Sequence, residues 1–158
     1  MKSTRDWSLL QQSLQHDTDT STLLLQLMRQ EREALELRDY AAFEALIQPK
    51  QKLISQLERH AMLRRQWFEQ QRLGDDASVL QLLHQEAPDI AAQWQQAANI
   101  WRECQTENQI NEQICRRTRS VVEHMLDALR GQHQQSSGVY DAKGVAQRGA
   151  SGRIISNA

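Results

Sequence analysis

Hydrophobic residues recur at steps of three, four or seven along residues 88–131, which is the pattern of one face of an α-helix. This row consists of Ile90, Trp94, Ala97, Trp101, Cys104, Ile114, Val121, Val122, Met125 and Leu129. Pro88 suits the first turn of a helix, and Gly131 suits the left-handed position just after its end. A helix of that length would extend about 65 Å, so it needs other long helices beside it.

The segment 4–37 carries a second row of apolar residues at heptad spacing, which Asp17 and Ser21 interrupt. The polar run 16–21 is compatible with a turn between two helices or with a weak stretch of one helix. We favour one helix, because no glycine or proline lies in the run.

Two more helices follow. Asp39 is a candidate N-cap for a helix over residues 40–72, in which Pro49 predicts a kink near residues 47 and 48. After Gly74, a short helix is expected over residues 77–86. Its buried residues are predicted to be Val79, Leu80, Leu82 and Leu83.

These patterns predict an all-α protein: an elongated antiparallel helical bundle, or coiled-coil-like hairpin, of three main helices plus one short helix. Five of the six glycines lie at residue 131 or beyond, where the periodic apolar pattern stops. We therefore expect a helical bundle domain over residues 1–131 and a flexible glycine-rich tail over residues 132–158.

Composition narrows the classes of function. The net charge of −1 gives no electrostatic footprint for nucleic acid, and no apolar run approaches the roughly 20 residues that span a bilayer. The chain has only two cysteines, Cys104 and Cys115, which argues against a disulfide framework. We interpret both as small residues packed in a seam between helices. We expect a cytoplasmic protein with no nucleic-acid partner and no membrane insertion.

No residue pattern indicates catalysis, a metal site or a cofactor. The histidines, among them His60, lack partners at ligand spacing and are expected at the surface. The charged run 29–33 is interpreted as a solvated helix face with local ion pairs. Asn108 and Asn111 interrupt the apolar row of the long helix, either as a buried polar layer that fixes register or as a contact to a neighbouring backbone.

The end of the long helix carries an apolar stripe wider than one helix–helix seam needs. Its residues are Ile114, Val121, Val122, Met125, Leu126 and Leu129. All of them could be core, or part of the stripe could receive an incoming amphipathic helix. The sequence alone does not divide the six residues between these roles.

Two stretches carry a resemblance to a known family. One is LLLQLMRQEREAL at residues 23–35, continuing through RDY at 38–40 to KLISQLE at 52–58. The other is the tail, with VYDAKG at 139–144 and GRIIS at 152–156. Together they resemble the FlgN family of flagellar type III export chaperones, over most of the chain.

The resemblance implies an all-helical cytoplasmic chaperone for hook–filament junction proteins. Such chaperones bind the C-terminal helical segments of those proteins, prevent premature assembly and deliver them to the flagellar export gate. The resemblance places the substrate contact on the C-terminal helix, here the stretch around residues 121–129. It also assigns docking on the cytoplasmic domain of the gate to Tyr140, an aromatic residue in a segment with little to bury it.

Two classes of function remain: an export chaperone for helical substrates, and a structural coiled-coil adaptor or self-assembling scaffold. A scaffold would keep its apolar rows unbroken and would not need the glycine-rich tail around Tyr140. The interruption at residues 17–21 and that tail favour the chaperone. Oligomeric state and the preferred junction protein are left open.

Overall fold

The computed structural model describes the backbone of residues 5–136 and the side chains of residues 5–131. This part of the chain forms four helices and no strand, which confirms the predicted all-α class. The helices are α1 (Ser8–Glu36), α2 (Tyr40–Gln70), α3 (Asp76–Glu86) and α4 (Pro88–Ser136). The chain divides within α4 into two units, Met1–Cys115 and Arg116–Ala158.

The predicted single helix over the first segment is confirmed, since α1 passes through the polar run 16–21 without a break. It ends where Arg38 adopts a left-handed backbone, with φ of 57°. The side chain of Asp39 then accepts a hydrogen bond from the backbone N–H of Ala42 at 3.0 Å, so it is the N-cap that the sequence predicts.

Helix α2 continues through Pro49, whose side chain is exposed. The predicted kink stays a prediction. Helix α2 is followed by left-handed residues at Arg72 and Gly74, and a Cβ added to Gly74 would lie 3.3 Å from the Cβ of Ser78. Asp75 caps α3 by accepting from the backbone N–H of Ser78 at 2.9 Å and from its hydroxyl at 2.6 Å. These hydrogen bonds lower the pKa of Asp75.

Helix α4 begins at Pro88 as predicted, but Gly131 does not end it. The helix passes through Gly131 to Ser136, and a Cβ at Gly131 would meet no atom within 4 Å. Glycine costs only about 1 kcal/mol relative to alanine inside a helix, so one glycine without a left-handed backbone need not stop it. The predicted division into residues 1–131 and 132–158 remains a prediction, and Tyr140 lies outside the described residues.

Contacts between side chains fix the direction of each helix in the first unit. Asp17 of α1 contacts Arg64 of α2, and Glu31 of α1 contacts Lys50 of α2, so these helices are antiparallel.

Helix α4 runs in the same direction as α1. Cys104 donates to the backbone oxygen of Ser21, and Asn111 donates to that of Met28. Consecutive long helices therefore alternate in direction, as an up-down-up bundle requires.

The apolar core of this unit consists of two clusters. The larger joins the start of α1, the end of α2, α3 and the start of α4, and contains Trp7, Leu10, Leu14, Phe68, Leu73, Val79, Leu83, Ile90 and Ala91. The smaller contains Leu24, Leu25, Met28 and Cys104. Of the residues predicted to be buried in α3, Val79 and Leu83 are fully buried, whereas Leu80 and Leu82 are half-buried.

Candidate functional site

The last turns of α4 carry five large apolar side chains that are exposed to solvent. They are Val121, Val122, Met125, Leu126 and Leu129, with exposed fractions between 45% and 62%. We call these five residues the α4 apolar face. Ile114, the sixth residue of the predicted stripe, is half-buried in the first unit. The five exposed residues thus lie outside the described core.

The α4 apolar face has the spacing of a helix-binding surface. Its members follow one another at steps of one, three, one and three residues, which at about 100° per residue places them within an arc of roughly 140°. Amphipathic helices that dock on another helix use anchors at this spacing. Contiguous exposed apolar patches of this kind mark interaction sites on many proteins.

Arginines border this face. On the helical projection, Arg117 lies next to Val121 at one edge of the face, and Arg119 lies next to Leu126 at the other edge. The Nε of Arg119 donates to Glu123 Oε1 at 2.8 Å, and this hydrogen bond raises the pKa of Arg119.

A buried polar layer crosses the first unit where Asp17 interrupts the apolar row of α1. Asp17 is 8% exposed, and one oxygen of its carboxylate contacts Nδ1 of His60 at 3.0 Å. Its other oxygen accepts from Arg64. The expectation that His60 is a surface residue is therefore wrong: it is half-buried and paired across the helices. Ion pairing explains how α1 tolerates a carboxylate at a core position.

A second polar layer joins three helices around Glu31, which is 5% exposed. Lys50 Nζ donates to both Glu31 oxygens at 2.9 Å and to Asn108 Oδ1 at 3.1 Å. Asn111 Nδ2 donates to Glu31 Oε2 at 2.7 Å and to the Met28 backbone oxygen at 2.8 Å. Both interpretations of the asparagine pair are thus met, because Asn111 is part of a buried layer and binds a neighbouring backbone.

The charged run 29–33 is solvated only in part, since Arg29 and Glu33 are exposed whereas Glu31 is buried. Besides the buried Glu31, Arg32 pairs with Glu107 of α4 at 3.1 Å, and Arg29 pairs with Glu103 of α4 at 3.4 Å. Arg32 also forms a pair within α1, with Glu36 at 3.9 Å, so the run combines a local ion pair with contacts to α4 and α2.

A cavity of about 420 Å³ opens between α1, α2 and α4 in the first unit. Its apolar lining includes Leu57, Ala61, Trp94 and Trp101. Small lining residues such as Ala97 do not fill the space between the helices. Trp101 is 40% exposed there, although its spacing places it in the apolar row of the long helix.

The two cysteines are not activated thiols. Burial raises the pKa of the Cys104 thiol to about 11, and burial also raises the pKa of Cys115. Both are free thiols, and Cys104 is buried as the sequence predicts. Among the described residues no cluster of three or more metal-binding side chains occurs, and none of their helices could span a membrane.

Fold and surface together define an all-helical bundle protein with buried polar layers and an exposed apolar face on its last helix. A family model described as FlgN protein matches residues 8–148. The chain belongs to the FlgN family, a family of flagellar export chaperones. Comparison with curated proteins and with solved structures gives no match.

Proposed function

We propose that this chain is a cytoplasmic export chaperone whose α4 apolar face binds the C-terminal helical segment of a hook–filament junction protein. Binding would keep that segment from assembling before export. The single observation that supports this site best is the exposure of five large apolar side chains at helix-binding spacing. Membership in a family of flagellar export chaperones supports the general role.

The energy available at this face suits reversible binding. A fully buried side chain of this size contributes roughly 1.5–3 kcal/mol, and about half of each of the five is still exposed. Covering all five would therefore contribute about 4–7 kcal/mol before the losses of rotational and translational freedom are subtracted. A chaperone must release its cargo, so this modest contribution fits the proposed role.

Met125 gives a direct test, because α2 offers a matched control. Met125 is 62% exposed and Met62 is 55% exposed, so aspartate at either position should leave the fold intact. We expect Met125→Asp to weaken calorimetric binding of a synthetic C-terminal junction-protein peptide at least tenfold, because it places a charge in the apolar contact. Met62→Asp should bind as the unaltered chain does. Equal affinities for the two variants, with unchanged melting temperatures, would place the site elsewhere.

Delivery to the export gate is the second part of the proposal, and Tyr140 is the residue we assign to it. Tyrosine offers a large contact area with few rotamers to fix, as docking residues often do. Tyr140→Ala should leave junction-peptide affinity unchanged and weaken binding of the loaded chaperone to the cytoplasmic domain of the gate. A lower melting temperature with undiminished gate affinity would instead show that Tyr140 packs on the bundle.

A further inference from the structure

We propose that the helix received by the α4 apolar face carries carboxylates along both edges of its own apolar surface, and that Arg117 and Arg119 bind them. The proposal rests on the helix-binding function proposed above and adds the charge pattern of the partner. It follows from the distribution of charge around the last turns of α4.

Charge in this stretch differs from that of the whole chain. Residues 116–131 contain four arginines against one glutamate and one aspartate, whereas the chain as a whole has a net charge of −1. An arginine-rich stretch beside an apolar face favours an amphipathic partner with acidic flanks.

Two of the four arginines lie at the edges of the apolar arc, and the other two lie on the back of the helix together with both carboxylates. At about 100° per residue, Arg117 lies about 40° beyond Val121, and Arg119 lies about 20° beyond Leu126. Asp127 lies on the side opposite the centre of the apolar arc. A helix packed on the arc would therefore meet an arginine at each edge and would not meet the Asp127 carboxylate.

Arg119 can bind a partner carboxylate while it keeps its contact within α4. Its Nε is occupied by Glu123 at 2.8 Å. A guanidinium has five N–H donors, so the two terminal amino groups of Arg119 are available for a bidentate contact with an incoming carboxylate. The side chain is 82% exposed, so such a contact requires no opening of the helix.

The test measures affinity and its salt dependence with a synthetic peptide of the junction-protein C-terminal helix. The variants are Arg117→Gln, Arg119→Gln and the double variant, with Arg65→Gln of the exposed surface of α2 as control. At an ionic strength of about 0.05 M we expect each edge substitution to weaken binding roughly two- to fivefold. At about 0.5 M the variants and the unaltered chain should converge, because exposed pairs are screened. Arg65→Gln should have no effect at either salt concentration.

A second arm uses a peptide whose acidic residues beside the apolar face are replaced by their amides. If the arginines bind those residues, the amide peptide should bind the double variant and the unaltered chain equally well. Met125→Asp separates the two proposals. If it abolishes binding while the arginine variants match the control at both salt concentrations, the acidic-edge proposal is overturned and the helix-binding site stands. If Met125→Asp also binds normally, the proposed site itself is refuted.

Discussion

Removing the charge of Lys50 should strongly destabilise the bundle, although nothing in the sequence marks this lysine as important for stability. All three donors of its ammonium group are used, two by the Glu31 carboxylate at 2.9 Å and one by Asn108 at 3.1 Å. Lys50→Met keeps most of the aliphatic stem and leaves the Glu31 carboxylate, only 5% exposed, with Asn111 as its remaining partner. Breaking a buried pair in this way costs about 3–5 kcal/mol.

The assay is urea unfolding followed by far-UV circular dichroism, with Lys52→Met as the matched control. Lys52 is exposed on the same helix, so its loss should change the free energy of unfolding by no more than about 0.5 kcal/mol. Replacing Glu31 as well, in Lys50→Met with Glu31→Gln, should recover part of the loss, because no buried charge remains. If Lys50→Met costs no more than Lys52→Met, the layer around Glu31 does not stabilise the fold and the reasoning is refuted.

Two further predictions concern the core. Phe68→Ala should lower the free energy of unfolding by about 3–5 kcal/mol in the same urea assay, because Phe68 is 2% exposed and stacks on Trp94 with centroids 6.0 Å apart; a loss below 1 kcal/mol would contradict this packing. In the folded chain the pKa of the Cys104 thiol is about 11, above its ordinary value of 9.0. Burial of this thiol therefore stabilises the fold fully below about pH 9, and the stabilisation is lost as pH rises toward 11, because the unfolded chain loses the thiol proton first. The free energy of unfolding, measured from about pH 9 to 11, should fall more steeply for the unaltered chain than for Cys104→Ala. Parallel curves would refute the raised pKa of Cys104.

Most of the fold could be predicted because it rests on local signals. The period of the apolar residues sets the helices, Asp39 and Pro88 mark helix starts, and the left-handed Gly74 lies in the break before α3. The end of α4 could not be predicted in this way. Glycine is common just after the end of a helix, which is why Gly131 suggests a helix end. However, glycine allows a left-handed backbone without requiring it.

The polar layers could be predicted only in part, because they depend on which residues face one another across helices. Asp17 lies in a heptad row, and that position alone signals a buried carboxylate in need of a cation. The complementary signal is the pair His60 and Arg64, four residues apart on one face of α2. Glu31 gave no such signal, because its neighbours Arg29 and Arg32 suggest a solvated face.

The α4 apolar face was recognisable as a stripe, but its exposure was not. Val122, Met125 and Leu126 have the same apolar character whether they face a neighbouring helix or solvent. Only the three-dimensional packing decides between these states, and in the structure all three are exposed.

The proposed site is tested most directly by NMR of the chain labelled with ¹³C at the methionine methyl groups. The four methionines include the buried Met28, Met62 exposed on α2, and Met125 on the α4 apolar face. On titration with the junction-protein C-terminal peptide, we predict that the Met125 methyl signal shifts while those of Met28 and Met62 stay in place. A shift of Met62 with an unchanged Met125 would contradict the account.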